Sequence, residues 1–534
     1  MAAVVVLGAV PASALAAGQV AYDPGSIDQP PLVSPRPPIA DEAPPQPLGP
    51  VVVPGRDRGR PTPSRDVPSA RALFAAAPGR PSGARGGTAV SPVLVRGISD
   101  SRLMLSLDGA VRARAMGATR DLGGSVVRIQ MSWRGALPGA PPADATDPGD
   151  PAYDWAPQDA AVRSAVAAGL TPLLTIAHAP PYAEAPRRWR FAAAGSWAPR
   201  PSELAAFATA VARRYSGTWP DPARPGMALP RVAAFQAWNE PNLPRYLSPQ
   251  WIVRDGRWVP WAPAHYRRML QAFAGAVRAV QPDATIVAAG LAPAGEGADG
   301  AGRMTPVRFL RALLCLGPPA GRGPVACPGK PDFDVLAFHP LSVGEPDRPA
   351  RSSLDVSVAD VGKVTAILRS AQDHHLLARR SPRLWITELN WATGAIPAAR
   401  RGAVVGRGLH RLWAAGAGLV TWQFLEDPAR GHRAGLRVRG RRGPLTGRFK
   451  AYARGFALPV DVAPVGRGRA AVWAVPFVDG VLRVEVRRGR RWRVVARVRR
   501  VRRDHPLQVE VRARAGARLR VVSGGVASVA LVVR

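Results

Sequence analysis

The chain has 534 residues, 47% of them hydrophobic, enough for a sizeable core and for more than one domain. Lys and Arg total 73 against 37 Asp and Glu, a formal net charge of +36, yet only three of the cations are lysines: Lys330, Lys363 and Lys450. A specific nucleic-acid binder would gather such an excess in blocks. Here arginine is spread through the chain beside 54 Gly and 58 Pro, which reads as a solvated cationic surface that can touch anionic polymers, a cell-wall polymer included, without specificity. No apolar run approaches the ~20 residues of a spanning helix, which excludes an α-helical membrane protein.

Residues 1–17 contain the apolar stretch AAVVVLGAVPASALAA, ending in the small-x-small pattern Ala14-Leu15-Ala16. This predicts a secretory leader, although no positive charge precedes the apolar run. Residues 18–90 are rich in Pro, Gly, Ala and Arg without sustained period, and such a stretch is predicted to stay disordered because it cannot bury a core. The two cysteines, Cys315 and Cys327, flank a loop containing Gly317, Pro318, Pro319, Gly321 and Gly323. The spacing allows one local disulfide in an oxidising compartment, or two separate thiols, and is too poor for a structural zinc site. Leader and cysteine usage together predict a secreted protein.

From residue 91 to about 458 short apolar runs alternate with amphipathic stretches. Strands are predicted at 93–98, 125–130, 172–177, 232–238, 285–289, 335–339, 383–388 and 419–424. Most are continuous apolar runs, as expected for strands covered by helices. Between them Leu204, Phe207, Val211 and Tyr215 recur at helical spacing, as do Tyr266, Met269, Leu270, Phe273, Val277 and Val280. Thr305-Pro306 marks a helix start, because proline at the first helical position forfeits no hydrogen bond. Val361, Val364 and Leu368 mark a later helix, and Val405, Leu409, Leu412 and Trp413 another. Eight strands alternating with helices predict an α/β fold of the (β/α)8 TIM-barrel type. The excess over the ~250-residue norm is placed in Pro/Gly-rich insertions at 137–154 and 217–227 and in the cysteine loop. No Gly-x-Gly-x-x-Gly follows the first strand, against a dinucleotide fold.

After Pro459 the period changes to two: Ala471, Trp473 and Val475, then Leu482, Val484 and Val486, then Val509 and Val511, then Leu519 and Val521. Turn signals at Asp479-Gly480, Arg488-Gly489, Ala515-Gly516 and Gly524-Gly525 separate them, predicting a small, sandwich-like antiparallel β domain over 459–534. Its arginines between 487 and 503 read as an outward, solvated face.

Two segments carry the chemistry. Phe235-Gln236-Ala237-Trp238-Asn239-Glu240-Pro241-Asn242 follows the fourth strand, and Leu384-Trp385-Ile386-Thr387-Glu388-Leu389-Asn390-Trp391 ends the seventh. Polar residues at the C-terminal ends of barrel strands face the mouth where barrel enzymes work. Two carboxylates facing each other there suit glycosidic bond cleavage, one as proton donor and one as nucleophile.

On these residues the chain resembles clan A glycoside hydrolases, the retaining superfamily that includes cellulase-like, β-xylosidase-like and α-L-iduronidase-like enzymes. The resemblance implies an enzyme acting on an oligo- or polysaccharide, with Glu240 as acid/base, Asn239 at the sugar 2-hydroxyl and Glu388 as nucleophile. It also implies Arg128 of Val-Val-Arg-Ile as support for the nucleophile, His339 of Ala-Phe-His-Pro as a site histidine and Trp422 of Val-Thr-Trp-Gln-Phe as an aromatic platform. Gly435-Leu436 and Phe449-Lys450-Ala451-Tyr452 match the closing segment of such barrels. A tyrosine stands two residues beyond the histidine in many members; here the position is Leu341.

His178, ending the third strand, and Trp391, after Glu388, are further ligand candidates, with Tyr246, Trp133, Trp189 and Trp197 as aromatic residues that either stack on sugar or anchor loops. No cofactor is implied, and no metal: the histidines are scattered, and neither His-Glu-x-x-His nor Gly-x-x-x-x-Gly-Lys-Ser/Thr occurs. The rival function is a non-catalytic glycan or cell-wall binding protein on the same scaffold, against which the paired glutamates argue.

Overall fold

The computed structural model describes residues 92–534 except 297–299, 301, 319–322, 343, 380–381 and 430–432. The leader and the Pro-rich segment expected over 1–90 lie outside the described residues. Eight parallel strands close into a barrel: β1 (Val95–Ser99), β2 (Val126–Ser132), β3 (Thr171–Ala177), β4 (Ala234–Ala237), β5 (Thr285–Leu291), β6 (Val335–Phe338), β7 (Arg383–Leu389) and β8 (Ala417–Trp422), with β1 pairing β8. A helix follows each strand: α1 (Gly109–Asp121), α2 (Ala156–Ala167), α3 (Pro201–Arg214), α4 (Ala262–Val280), α5 (Pro306–Leu313), α6 (Gly362–Asp373), α7 (Arg401–Ala414) and α8 (Ala451–Ala457). The fold is the one predicted, and Pro306 opens α5 with Thr305 before it. β4 is shorter than predicted because Trp238 turns to φ 70°, where an extended strand cannot continue. The excess length also includes an unpredicted antiparallel hairpin, Trp251–Arg254 with Arg257–Pro260, in the loop after β4.

The barrel interior explains the continuous apolar runs. Val95, Val126, Leu173, Ala234, Val287, Val335, Trp385 and Leu419, one from each strand, form a buried apolar ring. The residues between them face outward into the large core shared with the helices. Two positions further along, several strands turn polar: Arg128, Thr175, Gln236, Thr387 and Thr421 are all fully buried. The interior therefore changes from hydrocarbon to hydrogen-bonding groups toward the C-terminal ends of the strands.

Cys315 and Cys327 form a disulfide just after α5, closing the loop predicted to hold it.

Beyond α8 the chain forms two antiparallel sheets. One contains β9 (Val460–Pro464), β10 (Arg469–Ala474) and β13 (Leu507–Arg512). The other orders β12 (Arg491–Val501), β11 (Gly480–Arg488), β14 (Arg518–Ser523) and β15 (Val526–Ala527), with β16 (Leu531–Val532) on β14. Val472, Leu482, Val484, Val486, Leu519 and Val521 fill the space between them. Two expectations are revised here. β10 is buried on both faces: Ala470, Val472 and Ala474 enter the β core, while Trp473 joins the barrel core and stacks on His410 of α7, with ring centroids 4.5 Å apart. And the arginine-rich stretch contains β12, an edge strand invisible to a hydrophobic pattern because most of its residues are exposed. Exposed arginines on such an edge discourage pairing with a second chain.

The β region is bolted to the closed end of the barrel by buried charge. Arg96 of β1, with no solvent exposure, meets Asp504 at 2.9 Å and donates to the carbonyls of Phe456 and Ala457. Arg503 donates to the carbonyls of Gly123 and Gly124 at 2.9 and 3.0 Å. Removing one partner of a buried ion pair leaves the other charge uncompensated, so Asp504→Ala is expected to destabilise the protein by about 3–5 kcal/mol. Chemical denaturation followed by tryptophan fluorescence measures this; a loss under about 1 kcal/mol, the range of exposed pairs, would show that the carbonyls alone satisfy Arg96.

Candidate active site

Four strand ends converge through one guanidinium. Arg128 of β2 is fully buried and donates from Nη1 to Glu388 Oε1 at 2.6 Å and to Ser99 Oγ at 3.2 Å. Its Nη2 donates to Asn239 Oδ1 at 2.6 Å and its Nε to Gln236 Oε1 at 3.1 Å. Parity sets this up: in β2, Val126 lies in the apolar ring, so Arg128 two residues on projects inward above it. Gln236 also donates from Nε2 to the Trp238 carbonyl at 3.2 Å, stiffening the turn that presents Asn239 and Glu240.

His339, immediately after β6, joins the two glutamates. Its Nδ1 is 3.0 Å from Glu240 Oε1 and 3.8 Å from Glu388 Oε2, and its Nε2 is 2.9 Å from Thr387 Oγ1. One ligand atom each of Glu240, His339 and Glu388 lie within 4.8 Å of one another. Burial pushes His339 down to about 3, with Arg128 reinforcing and Glu388 opposing, so the imidazole is neutral. Gly290 makes room for it: a Cβ there would lie 2.6 Å from Gln236 Nε2 and 2.9 Å from His339 Nε2, and its φ of 68° disfavours a side chain as well.

Glu240 sits in strained backbone, φ 40°, two residues past Trp238, and His178 at the end of β3 has φ 62°. Such conformations persist only where the surroundings enforce them, and they cluster at functional sites. Burial pushes the Glu240 carboxyl up to about 7, partly offset by the charges of Arg245 and Arg128. His178 is lowered to about 4 by burial and then by Arg245. Its ring lies 5.4 Å from that of Tyr246, whose phenol is raised to about 12 by burial first and by the charge of Glu240 next. With Leu341 after the histidine, the phenol of Tyr246 in the loop after β4 feels the charge of both carboxylates.

The predicted site residues thus divide. Arg128, Asn239, Glu240, His339 and Glu388 are brought together, and His178 borders them. Trp391 and Trp422 are not at an open surface. Both are fully buried with rings 5.8 Å apart, Trp422 against Tyr452 and Phe456 and Trp391 against Gly408 of α7. The reason is again parity: Leu419 faces the barrel interior, so Val420 and Trp422 face the helices. Both tryptophans are core residues here, as is Trp133, stacked at 5.2 Å on Phe207. Sequence reasoning missed Ser99, Gln236 and Thr387 as site supports; their signal was a polar residue in an inward position of an otherwise apolar strand. Of the closing segment, Lys450 is buried and pairs with Asp427 at 2.6 Å just before α8.

The Glu240–His339–Glu388 group is the one cluster of metal-ligating type among the described residues. A divalent cation there would face the Arg128 guanidinium bonded to Glu388, so electrostatics disfavour it.

No family model matches the chain, and no curated protein matches it. Solved structures similar in fold include a family 39 glycoside hydrolase from Bacteroides cellulosilyticus WH2, with TM-score 0.47 and 15% identity over 78% of this chain and 80% of that one. A family 39 β-xylosidase from Caulobacter crescentus has TM-score 0.44 and 16% identity, covering 80% and 94%. A family 30 endoxylanase from Clostridium papyrosolvens C71 has TM-score 0.42 and 13% identity, covering 80% and 96%.

The raised Glu240 has a consequence for stability. Its folded value of about 7 exceeds the ordinary 4.5, so the folded state holds the proton more tightly than the unfolded chain. That contribution is complete below about pH 4.5 and lost as pH rises through about 7. Glu240→Gln should therefore flatten the fall in stability between about pH 5 and about pH 8, read from urea midpoints. An unchanged slope would place the titration elsewhere.

Proposed function

We propose that the protein is a secreted, retaining O-glycoside hydrolase of the clan A type, acting on an extracellular glycan. The observation that carries this is the pair of buried glutamates at the ends of β4 and β7, one oxygen of each lying with a His339 nitrogen within 4.8 Å of one another. Glu388 is ion-paired to Arg128, while Glu240 holds a proton up to about pH 7. The division suits double displacement, in which carboxyl groups ~5–5.5 Å apart act directly on the sugar, whereas inversion needs ~6.5–9.5 Å to admit a water.

In the first step Glu240 gives its proton to the leaving oxygen as Glu388 attacks the anomeric carbon, and the glycosidic C–O bond breaks. The glycosyl ester on Glu388 cancels its negative charge. Glu240, now ionised, takes a proton from water, which attacks the same carbon and releases Glu388. Arg128 orients the nucleophile and, by donating to Asn239 Oδ1, turns the Asn239 amide so that its NH2 is available to a sugar hydroxyl. His339, neutral, positions Glu240 through its Nδ1. The predicted leader and the Cys315–Cys327 bridge support export; no helix among the described residues is long and apolar enough to cross a membrane.

Glu240→Ala should slow substrates with poor leaving groups far more than activated aryl glycosides, by about 10²–10⁴-fold for the lost proton transfer, and azide should restore turnover of the activated ones by attacking the glycosyl-enzyme. Glu388→Ala should abolish turnover of both. A product NMR time course should show first-formed sugar of retained configuration. Inverted product would overturn the mechanism, and full activity in Glu388→Ala would overturn the site.

A further inference from the structure

The outer face of the C-terminal sheet carries charge that the fold does not neutralise. Leu482, Val484 and Val486 of β11 and Leu519 and Val521 of β14 point into the β core, so Arg483, Glu485 and Arg487, with Arg518 and Arg520, lie on the opposite face. Register extends that face to β12: Val481 pairs with Arg499, Arg483 with Arg497, Glu485 with Val494 and Arg487 with Trp492. Between residues 480 and 503 the chain has eleven arginines and one carboxylate, Glu485. That carboxylate is already engaged. Its Oε2 accepts from Arg520 Nε at 2.8 Å and lies 2.7 Å from Arg520 Nη2, and its Oε1 is 3.9 Å from Arg483 Nε. The Arg520 guanidinium in turn lies 4.3 Å from the centre of the Trp492 ring. Arg497, Arg499 and Arg518 are exposed and have no hydrogen bond, ion pair or ring contact among the described residues.

Like charges set directly opposite on an antiparallel pair, with Cβ atoms ~4.5–5.5 Å apart, are destabilising. Arg483 faces Arg497 in this way, and Arg488 faces Arg491 at the hairpin end. On the barrel, by contrast, Arg278 is answered by Asp332 and Asp334, and Arg407 and Arg411 by Asp347. From Arg487 back to Val481 the face spans six residues of β11. At ~3.3 Å each that is ~20 Å of basic surface. We infer that this face is a docking surface for an extended acidic glycan, whose repeated acidic groups supply the counter-charges that the sheet lacks. An exposed guanidinium offers a planar fork that matches a carboxylate in two parallel hydrogen bonds. The length calls for a chain of charges rather than a single ion. A nucleic acid fits less well, because single-strand sites stack successive bases on aromatic rings, and Trp492 is the one ring on these three strands. The choice of a glycan among polyanions rests on the glycosidase reading; the charge placement does not. Because the β region sits at the closed end of the barrel, the face anchors the protein to a polymer and takes no part in bond cleavage.

The test is calorimetry of the full chain at low salt with three probes: an oligogalacturonate long enough to span the face, its methyl ester, and an oligothymidylate of equal charge. The wild type should bind the acid in preference to the other two. Arg497→Ala, Arg499→Ala and Arg518→Ala combined should weaken that binding by ~10-fold or more, the scale of hydrogen bonds to charged groups. The charge-matched combination of Arg114→Ala, Arg120→Ala and Arg369→Ala, all exposed on barrel helices, should leave it nearly unchanged. The sheet variant relieves the Arg483–Arg497 pair, so it should melt no lower than the wild type, which separates lost binding from lost fold. Absence of acid binding would overturn the inference. So would equal loss in the two combined variants, which would assign binding to the overall positive field. Thymidylate bound as tightly as the acid would overturn the glycan as partner. Turnover of an aryl glycoside, measured in parallel, should be the same in the sheet variant and the wild type. If no glycoside turns over while the acid still binds through this face, the catalytic reading fails and the docking surface stands.

Discussion

A guanidinium without solvent exposure at the centre of a barrel is the constraint on which the rest of the site depends. Taking such a charge out of water costs several kcal/mol unless carboxylate and hydrogen-bond partners surround it. Arg128 obtains them from β1, β4 and β7 at once: Ser99, then Gln236 and Asn239, then Glu388. Its demand for partners brings the ends of four strands into fixed relation. The strained turn at Trp238 and Glu240 flanks Asn239, which one of these bonds holds in place.

The same arrangement separates two chemically identical side chains. Glu388 lies on the guanidinium, while Glu240 faces a neutral imidazole and loses water without gaining a full counter-charge. Burial then acts in opposite senses on neighbouring groups, holding a proton on the carboxyl and off the imidazole. His339 can stay neutral because Thr387, a hydroxyl that donates or accepts, satisfies its second nitrogen.

Much of this was legible in the residues, for identifiable reasons. Strands buried on both faces give apolar runs, and helices wrapped round them give a 3.6 period, so the eight strands and five of the helices between them could be read. Glu240, Asn239 and Glu388 stood out because charged and amide groups at strand ends are costly to place there. The tryptophans misled because an indole suits a sugar platform and a hydrophobic core equally, and only strand parity, with its register shift near Trp422, separates the two. Ser99 and Thr387 are common residues whose role exists only once the barrel closes. β12 escaped because an exposed edge carries no apolar face, and Trp473 was assigned to one core when β10 serves two.

The apolar ring across the barrel, one side chain from every strand, has a consequence for traffic rather than for packing. It is a hydrophobic floor beneath the carboxylates, and such a floor offers water no hydrogen-bonding partners to pass along. On the glycosidase reading, the departing sugar and the water that completes the reaction must then share a single entrance. The lifetime of the covalent intermediate would be set in part by how fast the first clears the way for the second, and an acceptor alcohol waiting at the same entrance would compete with water for the bound sugar.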